Sequence, residues 1–505
     1  MPAWLAHAPL GSGKYFLHAP FLTGACIAIP WLGAGLIAIF RKQARSLGSL
    51  AALAPVIASA ILLWEAPRHA SLYEALMLLF SCLTLGALCL LPRRDCTNAT
   101  VSGILLLLGA TLLAYSTDNL ILLLAAWILS ETPFMLAAWW GARKRGPWIA
   151  LLLSSLALTF AIGLIAFRTG TSSIAALQGQ SPGGIAVYLL LIVAVIFRKG
   201  IYPAQAWVAE EAAAGPAIPA ALLLNGHFGA LLVAKLIVPL FPRTDQLFPV
   251  LSYLAIFTAL YAAIRALGEN SPRRLLALLA LSQSAFILSG LESRTAEGIA
   301  GAVVHWFVVS VTTVGLFGIL RLLEVRFGEN LTASRHLGLA AHAPRLAVSF
   351  AILGLALVGL PGTLGFCSQD LLIHGALTSH PLTGLLLPIA TAMNAVSIFR
   401  LFTRLFLGKR HTGFTAQADA LPRERWVLAA GVLFVVLGGL FPNAIVAQRS
   451  AGGAGIKNGA DALHALSQRK PRTDAARSHI LFMPAPGLTD YSPHANIILR
   501  GGAAW

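Results

Sequence analysis

The chain has 505 residues, 57% hydrophobic and 11% charged, with a mean hydropathy of +0.78 and a formal net charge of +17. That is too little polar surface to cover a soluble globule of this length, so the chain reads as an all-α polytopic membrane protein solvated by the lipid bilayer. The Lys and Arg residues sit in short clusters between apolar runs, and no basic stripe with interleaved aromatics appears, which argues against nucleic acid as a partner. The five cysteines are scattered without a CxxC pair, which argues against a disulfide framework or a metal cage.

In chain order, residues 1–20 form a non-cytoplasmic N-terminal segment with a Gly11-Ser12-Gly13 breaker. The first apolar run, 21–40, is about 20 residues long, enough to cross a hydrocarbon core of about 30 Å. It ends in Arg41-Lys42 instead of a small-residue cleavage site, so it is read as a retained helix. Further apolar windows follow at 49–65, 72–91, 101–116, 118–141, 148–167, 184–200, 217–240, 247–267, 273–290, 296–322, 344–366, 382–405 and 425–442. Together they predict roughly fourteen transmembrane helices. The windows group into N-terminal helices over 21–100, a core over 101–410 and a C-terminal helix over 411–445. The polar tail 446–505 is flexible or docked on a partner.

Loop charge sets orientation. Arg41, Lys42 and Arg45, then Arg93-Arg94, Arg143-Lys144-Arg145, Arg273-Arg274, Arg321 with Arg326 and Arg335, and Lys409-Arg410 fall on alternate loops, all on one side if every window crosses once. The positive-inside rule then places both termini on the non-cytoplasmic side of a bacterial inner membrane.

Inside this apolar chain a few ionisable residues stand out. Glu131 lies within NLILLLAAWILSETPFMLAAWW, where a carboxylate costs several kcal/mol unless it has a partner or water, and it marks an ion or proton path. The alternative is a structural carboxylate held by Ser130, Thr132 or a neighbouring helix. Two windows are interrupted. FRKGIYPAQAWVAEEAAAGPAIP breaks at Gly200 and Pro203 beside Arg198 and Lys199, and LVGLPGTLGFCSQDLLIH breaks at Pro361 and Gly362 ahead of Asp370 and His374. Non-helical backbone survives at membrane depth only where protein or a wet cavity satisfies it, and paired broken helices point to an ion site in proteins built from inverted repeats. Read without further context, each break is also compatible with a cytoplasmic loop between ordinary spans.

These segments carry a family resemblance. RKGIYPAQAW followed by GPAIPAALLLNGHFGALLVAKL resembles the broken seventh and the following eighth helix of the proton-translocating antiporter-like subunits of respiratory complex I. SPRRLLALLALSQSAF, LALVGLPGTLGFCSQDLL and AMNAVSIFRLFTRLFLG resemble three later stretches in the same order, over roughly residues 100–410. The same superfamily includes subunits of membrane-bound hydrogenases, multisubunit cation/proton antiporters and Dab-type inorganic-carbon pumps. The resemblance implies a midplane row of titratable residues along which protons pass. It also implies partner membrane and peripheral subunits.

The row departs from the family pattern. The family's fifth-helix Glu follows a Trp directly; here Trp127 is followed by Ile128, and the acid stands at Glu131, about 60° round and about 4.5 Å along the helix. Arg198 occupies a family Lys position and keeps its proton where a desolvated Lys can titrate, so Lys199 is the better relay, or else it snorkels to water. Asn225 takes a family His position, with His227 two residues on; the two face one pore only if the helix is distorted. His227 is a shuttle or a core histidine. His305 matches a family His, but Thr313 and Gln369 replace the lysines that should accompany it, leaving Asp370 and His374, spaced i and i+4, as a substitute pair, or else Asp370 as a surface or helix-start carboxylate. The proton-path candidates are therefore Glu131, Arg198, Lys199, His227, His305, Asp370 and His374.

No dinucleotide, P-loop, zincin or iron–sulfur motif appears, so no cofactor is expected in this chain and any redox chemistry belongs to partners. The expected function is proton or cation translocation in a complex I-like quinone oxidoreductase or related energy-coupled complex. The alternatives are the membrane subunit of a Dab-type carbon pump, or a scaffold that has lost the pumping lysines.

Overall fold

A computed structural model describes residues 19–40, 44–65, 72–139, 146–177, 184–241, 249–328, 331–409 and 419–442. All belong to one of two units, Met1–Ser467; the other, Gln468–Trp505, and the whole predicted tail lie outside the described residues. So do the predicted basic residues Arg41, Lys42, Arg143, Lys144, Arg145 and Arg410.

The α-helices are α1 (Ala19–Ile39), α2 (Ala44–Glu65), α3 (Leu72–Leu90), α4 (Asn98–Ser116), α5 (Leu120–Trp139), α6 (Gly146–Thr169), α7 (Ile174–Leu177), α8 (Gly184–Lys199), α9 (Ala206–Ala214) and α10 (Ala217–Asn225). They continue with α11 (Phe228–Leu232), α12 (Val238–Leu240), α13 (Pro249–Gly268), α14 (Pro272–Ser293), α15 (Ala296–Phe327), α16 (Pro344–Leu357), α17 (Leu364–Ser379), α18 (Pro381–Phe406) and α19 (Pro422–Leu440). Every predicted apolar window carries helix. Among the described residues, ten helices are long and apolar enough to cross a membrane, and Leu120–Met135 and Pro344–Leu357 are shorter apolar helices. The protein is an all-α polytopic membrane protein.

Local chemistry starts these helices where it does. Thr97 and Thr295 accept from the free amides of Thr100 and Gly298 at 3.1 and 3.0 Å, and Asn119 Oδ1 accepts from Ile121 N at 2.8 Å. Pro272, Pro344, Pro381 and Pro422 open α14, α16, α18 and α19, where a missing N–H costs nothing.

The two breaks occupy matching places. Helices α4, α5 and α6 precede the broken pair α8/α9, and α10–α12 follow it; α13, α14 and α15 precede the broken pair α16/α17, and α18 follows it. The two sets share this order of elements, the pattern of an internal repeat. Helices α14 and α15 lie at the centre: α14 packs on α13, α15, α17, α18 and α9, and its whole apolar window is buried. Polar side chains within their buried windows therefore meet protein.

Three of the basic connections predicted to share one side meet. Arg273 at the start of α14 grips both oxygens of Glu324 at 2.6 and 2.5 Å, and Arg321 bridges that Glu324 at 3.0 Å to Asp95 of the α3–α4 turn at 2.6 and 2.8 Å. Arg326 binds Glu424 of α19 at 2.6 Å. These bidentate Arg–carboxylate pairs tie three connections of the bundle together.

Candidate functional site

The first break is built on α8, whose last turn carries Arg198 and Lys199, cations placed at the carbonyl end of a helix where its dipole favours them. Gly200 follows with φ +69, a left-handed turn that an L side chain rarely adopts. A Cβ there would also strike Val208. The groups freed by the break find partners: Trp207 Nε1 donates to Phe197 O at 3.0 Å, and Tyr202 N to Thr258 Oγ1 at 2.9 Å. The Tyr202–Pro203 peptide is cis. The break is thus satisfied by protein, as membrane depth demands.

Glu131 of α5 is wholly buried and faces this turn. Arg198 Nη1 donates to Glu131 Oε1 at 2.6 Å, Ser155 of α6 donates to Oε2 at 2.7 Å, and Arg198 Nη2 donates to Ser130 Oγ at 2.6 Å. The guanidinium lies over two aromatic rings that meet edge to face, 4.7 Å from the Phe228 ring centre and 5.5 Å from that of Trp127. An ion pair removed from water on this scale is retained only with such saturated hydrogen bonding and cation–π support.

Lys199 points the other way along the break, to His227 Nδ1 at 2.5 Å. His227 has φ +44 and separates α10 from α11, and a π-helical turn follows at Val233–Ile237. This is the helix distortion needed for Asn225 and His227 to face one space. Arg198, Lys199, Asn225, His227 and Ser284 border a cavity of about 10 Å³, near the lower limit for one water. Asn225 Nδ2 donates to Thr313 Oγ1 at 2.7 Å, so a neutral pair stands where the family pattern has His and Lys.

Along the expected row near the second break, His305 is accompanied by Ser368, Gln369 and Gln283. His305, fully buried, meets Ser368 Oγ through Nδ1 at 2.9 Å and stacks on Phe286. At the second break Gly359 and Gly362 have φ +76 and +88, which lets the chain turn between α16 and α17 beside Pro361. Gln369 donates to the freed Leu357 carbonyl and to Gln283 Oε1, both at 3.3 Å. It repeats the part Trp207 plays at the first break, with an amide where the family has Lys.

Asp370 and His374 are not in this row. They pair with each other at 3.6 Å but stand 54% and 67% exposed on the outer face of α17. Helix periodicity explains the difference, since Ser368 and Gln369 occupy the inward face and the next positions turn away from it. The structure also adds a residue that sequence reading did not single out. Ser155 is 24 positions from Glu131 and carries no motif. Lys235 donates to the carbonyls of Ala114, Tyr115 and Thr117 at 3.1, 2.8 and 2.7 Å, a cation closing the carbonyl end of α4. Among the described residues, no three His, Cys, Asp or Glu side chains gather in a form that could hold a metal ion.

Comparison with known proteins bears on this arrangement. Residues 147–394 match the family model described as NADH:quinone oxidoreductase/Mrp antiporter, transmembrane. The chain is 27% identical over 292 residues to NADH-quinone oxidoreductase subunit M of Mycobacterium tuberculosis, covering 56% of this chain and 52% of that protein. It is 26% identical over 363 residues to subunit N of Alkalilimnicola ehrlichii, covering 68% and 74%. The chain thus spans about half the length of the M-type relative. In fold it is similar to a chain of respiratory complex I from Thermus thermophilus, with TM-score 0.76 at 23% identity over 87% of this chain and 99% of that one. A chain of the Mrp complex from Dietzia gives 0.75 at 18% identity over 89% and 99%.

Proposed function

Because the chain belongs to the antiporter-like membrane subunit superfamily, we propose that it is a proton- or cation-translocating subunit of a multisubunit, energy-coupled membrane complex of the complex I or Mrp kind. The observation that carries this reading is the pair of couples meeting at the first break: Glu131 with Arg198 at 2.6 Å, and Lys199 with His227 at 2.5 Å.

Adjacent charges make these couples interdependent. While Glu131 is ionised it offsets the charge of Arg198. Protonating Glu131 leaves that charge uncompensated beside Lys199, which favours passing the Lys199 proton to neutral His227 Nδ1. Arg198 holds a fixed charge throughout, and Lys199 and His227 do the relaying. From His227 the path continues through waters past Asn225 and Thr313 toward His305.

In the test, the complex is reconstituted in vesicles and proton flux is followed with the partner reaction running. Glu131→Gln, nearly isosteric, is expected to abolish flux with assembly intact. An active variant would reassign Glu131 to structure. The scaffold reading has its own support, since Thr313 and Gln369 leave the second half without a buried Lys; a wild-type complex that moves no protons during partner turnover would favour it.

A further inference from the structure

A laterally open groove runs between α3 and α19 with α15 as its floor, enclosing about 590 Å³. That is within the roughly 300–1,000 Å³ of ligand sites. Its walls are apolar, with Cys82, Cys89, Val311, Gly431 and Phe434 along its length and Trp426, 77% exposed, at its rim.

One end of the groove is strongly basic. Cys89 lies within electrostatic reach of both Arg45 and Arg423, and Arg423 within reach of Arg45 and Arg93. Arg45 is anchored there by a 2.5 Å bond from Nη2 to Leu91 O, next to groove residues Cys89 and Leu90. The nearby carboxylates are shared: Glu424 is held by Arg326 and Leu421 N and stands 4.0 Å from Arg423, and Asp95 is held by Arg321. The basic end therefore carries excess positive charge, at the level where an exposed Trp marks the interface.

We propose that this groove binds an anionic phospholipid, with an acyl chain lying between α3 and α19 and the phosphate held by Arg45 and Arg423. An apolar slot ending in guanidinium groups matches that one molecule at both ends, and basic pockets between transmembrane helices take such head groups.

The test uses the full-length protein in neutral detergent micelles, with dioleoyl phosphatidylglycerol or dioleoyl phosphatidylcholine brominated in the chain. The readout is quenching of the Trp426 emission, taken as wild type minus Trp426→Phe. Brominated phosphatidylglycerol is expected to quench at a concentration on the order of tenfold lower than brominated phosphatidylcholine. The double variant Arg45→Gln/Arg423→Gln erases that preference. Ala430→Phe, which narrows the groove and leaves the arginines, weakens quenching by a similar factor and serves if the double variant does not fold. Equal quenching by both lipids overturns the proposal. So does displacement by glycerol phosphate alone, which would mean a free-phosphate site, and so does no Trp426 quenching by either lipid, as when a protein segment fills the groove.

Discussion

At the scale of single residues, the Glu131–Arg198 couple concentrates the chemistry and the risk. Removing one member of a buried, hydrogen-bonded pair leaves an uncompensated charge, at about 3–5 kcal/mol. Arg198→Ala is therefore expected to stop flux and to lower the melting temperature in detergent. Arg198→Lys keeps the charge and should retain much of the flux, but the new group loses its proton as pH rises. The variant's flux should then fall at a lower pH than the wild type's, in which Arg198 keeps its charge and only Lys199 of the two deprotonates. A pH series in reconstituted vesicles checks both, and an Arg198→Ala variant that melts early yet conducts normally would make the pair structural. Ser155→Ala removes one hydrogen bond to a charged group and is expected to cost about 1.5–3 kcal/mol, read from the same melts.

Elements are shaped by the two breaks, whose glycines are required by backbone geometry. Gly200 and Gly359, at φ +69 and +76, would each force an alanine into a sparsely populated conformation, and a Cβ at either would meet a packed side chain, Val208 or Gln369. Each Gly→Ala change is expected to destabilise by about 1–3 kcal/mol. Gly163→Ala in α6, where a Cβ meets nothing within 4 Å, is the control and should leave the melt unchanged or slightly raised. If Gly200→Ala melts like Gly163→Ala, the turn at the first break tolerates a side chain and the strain argument fails.

For the whole molecule, charge organises one side of the bundle. Glu324 holds both Arg273 and Arg321, so Glu324→Ala strips Arg273 of its carboxylate and cuts the tie from α14 to the Arg321–Asp95 pair. A loss of about 3–5 kcal/mol is expected. A melt unchanged from wild type would show the network to be solvated and idle. The same basic side is predicted to be cytoplasmic. Reporter fusions at Lys144 and in the C-terminal tail should accordingly give opposite readouts, and identical readouts would overturn the orientation.

The sequence by itself determined the solvent, the helical windows, both breaks and the buried acid, because each is written in local terms: apolar run length, Gly and Pro inside a run, a carboxylate where water is scarce. Tertiary packing decided which of these residues meet. It joined Glu131 to Arg198 across 67 positions and brought in Ser155 from a helix with no motif. It distorted the chain at His227 so that Asn225 and His227 share one space. It also turned Asp370 and His374 outward, although i and i+4 spacing had put them correctly on a common face. Spacing along a helix fixes which side chains share a face; which face turns to the core depends on contacts far apart in sequence, and only the packed bundle supplies those.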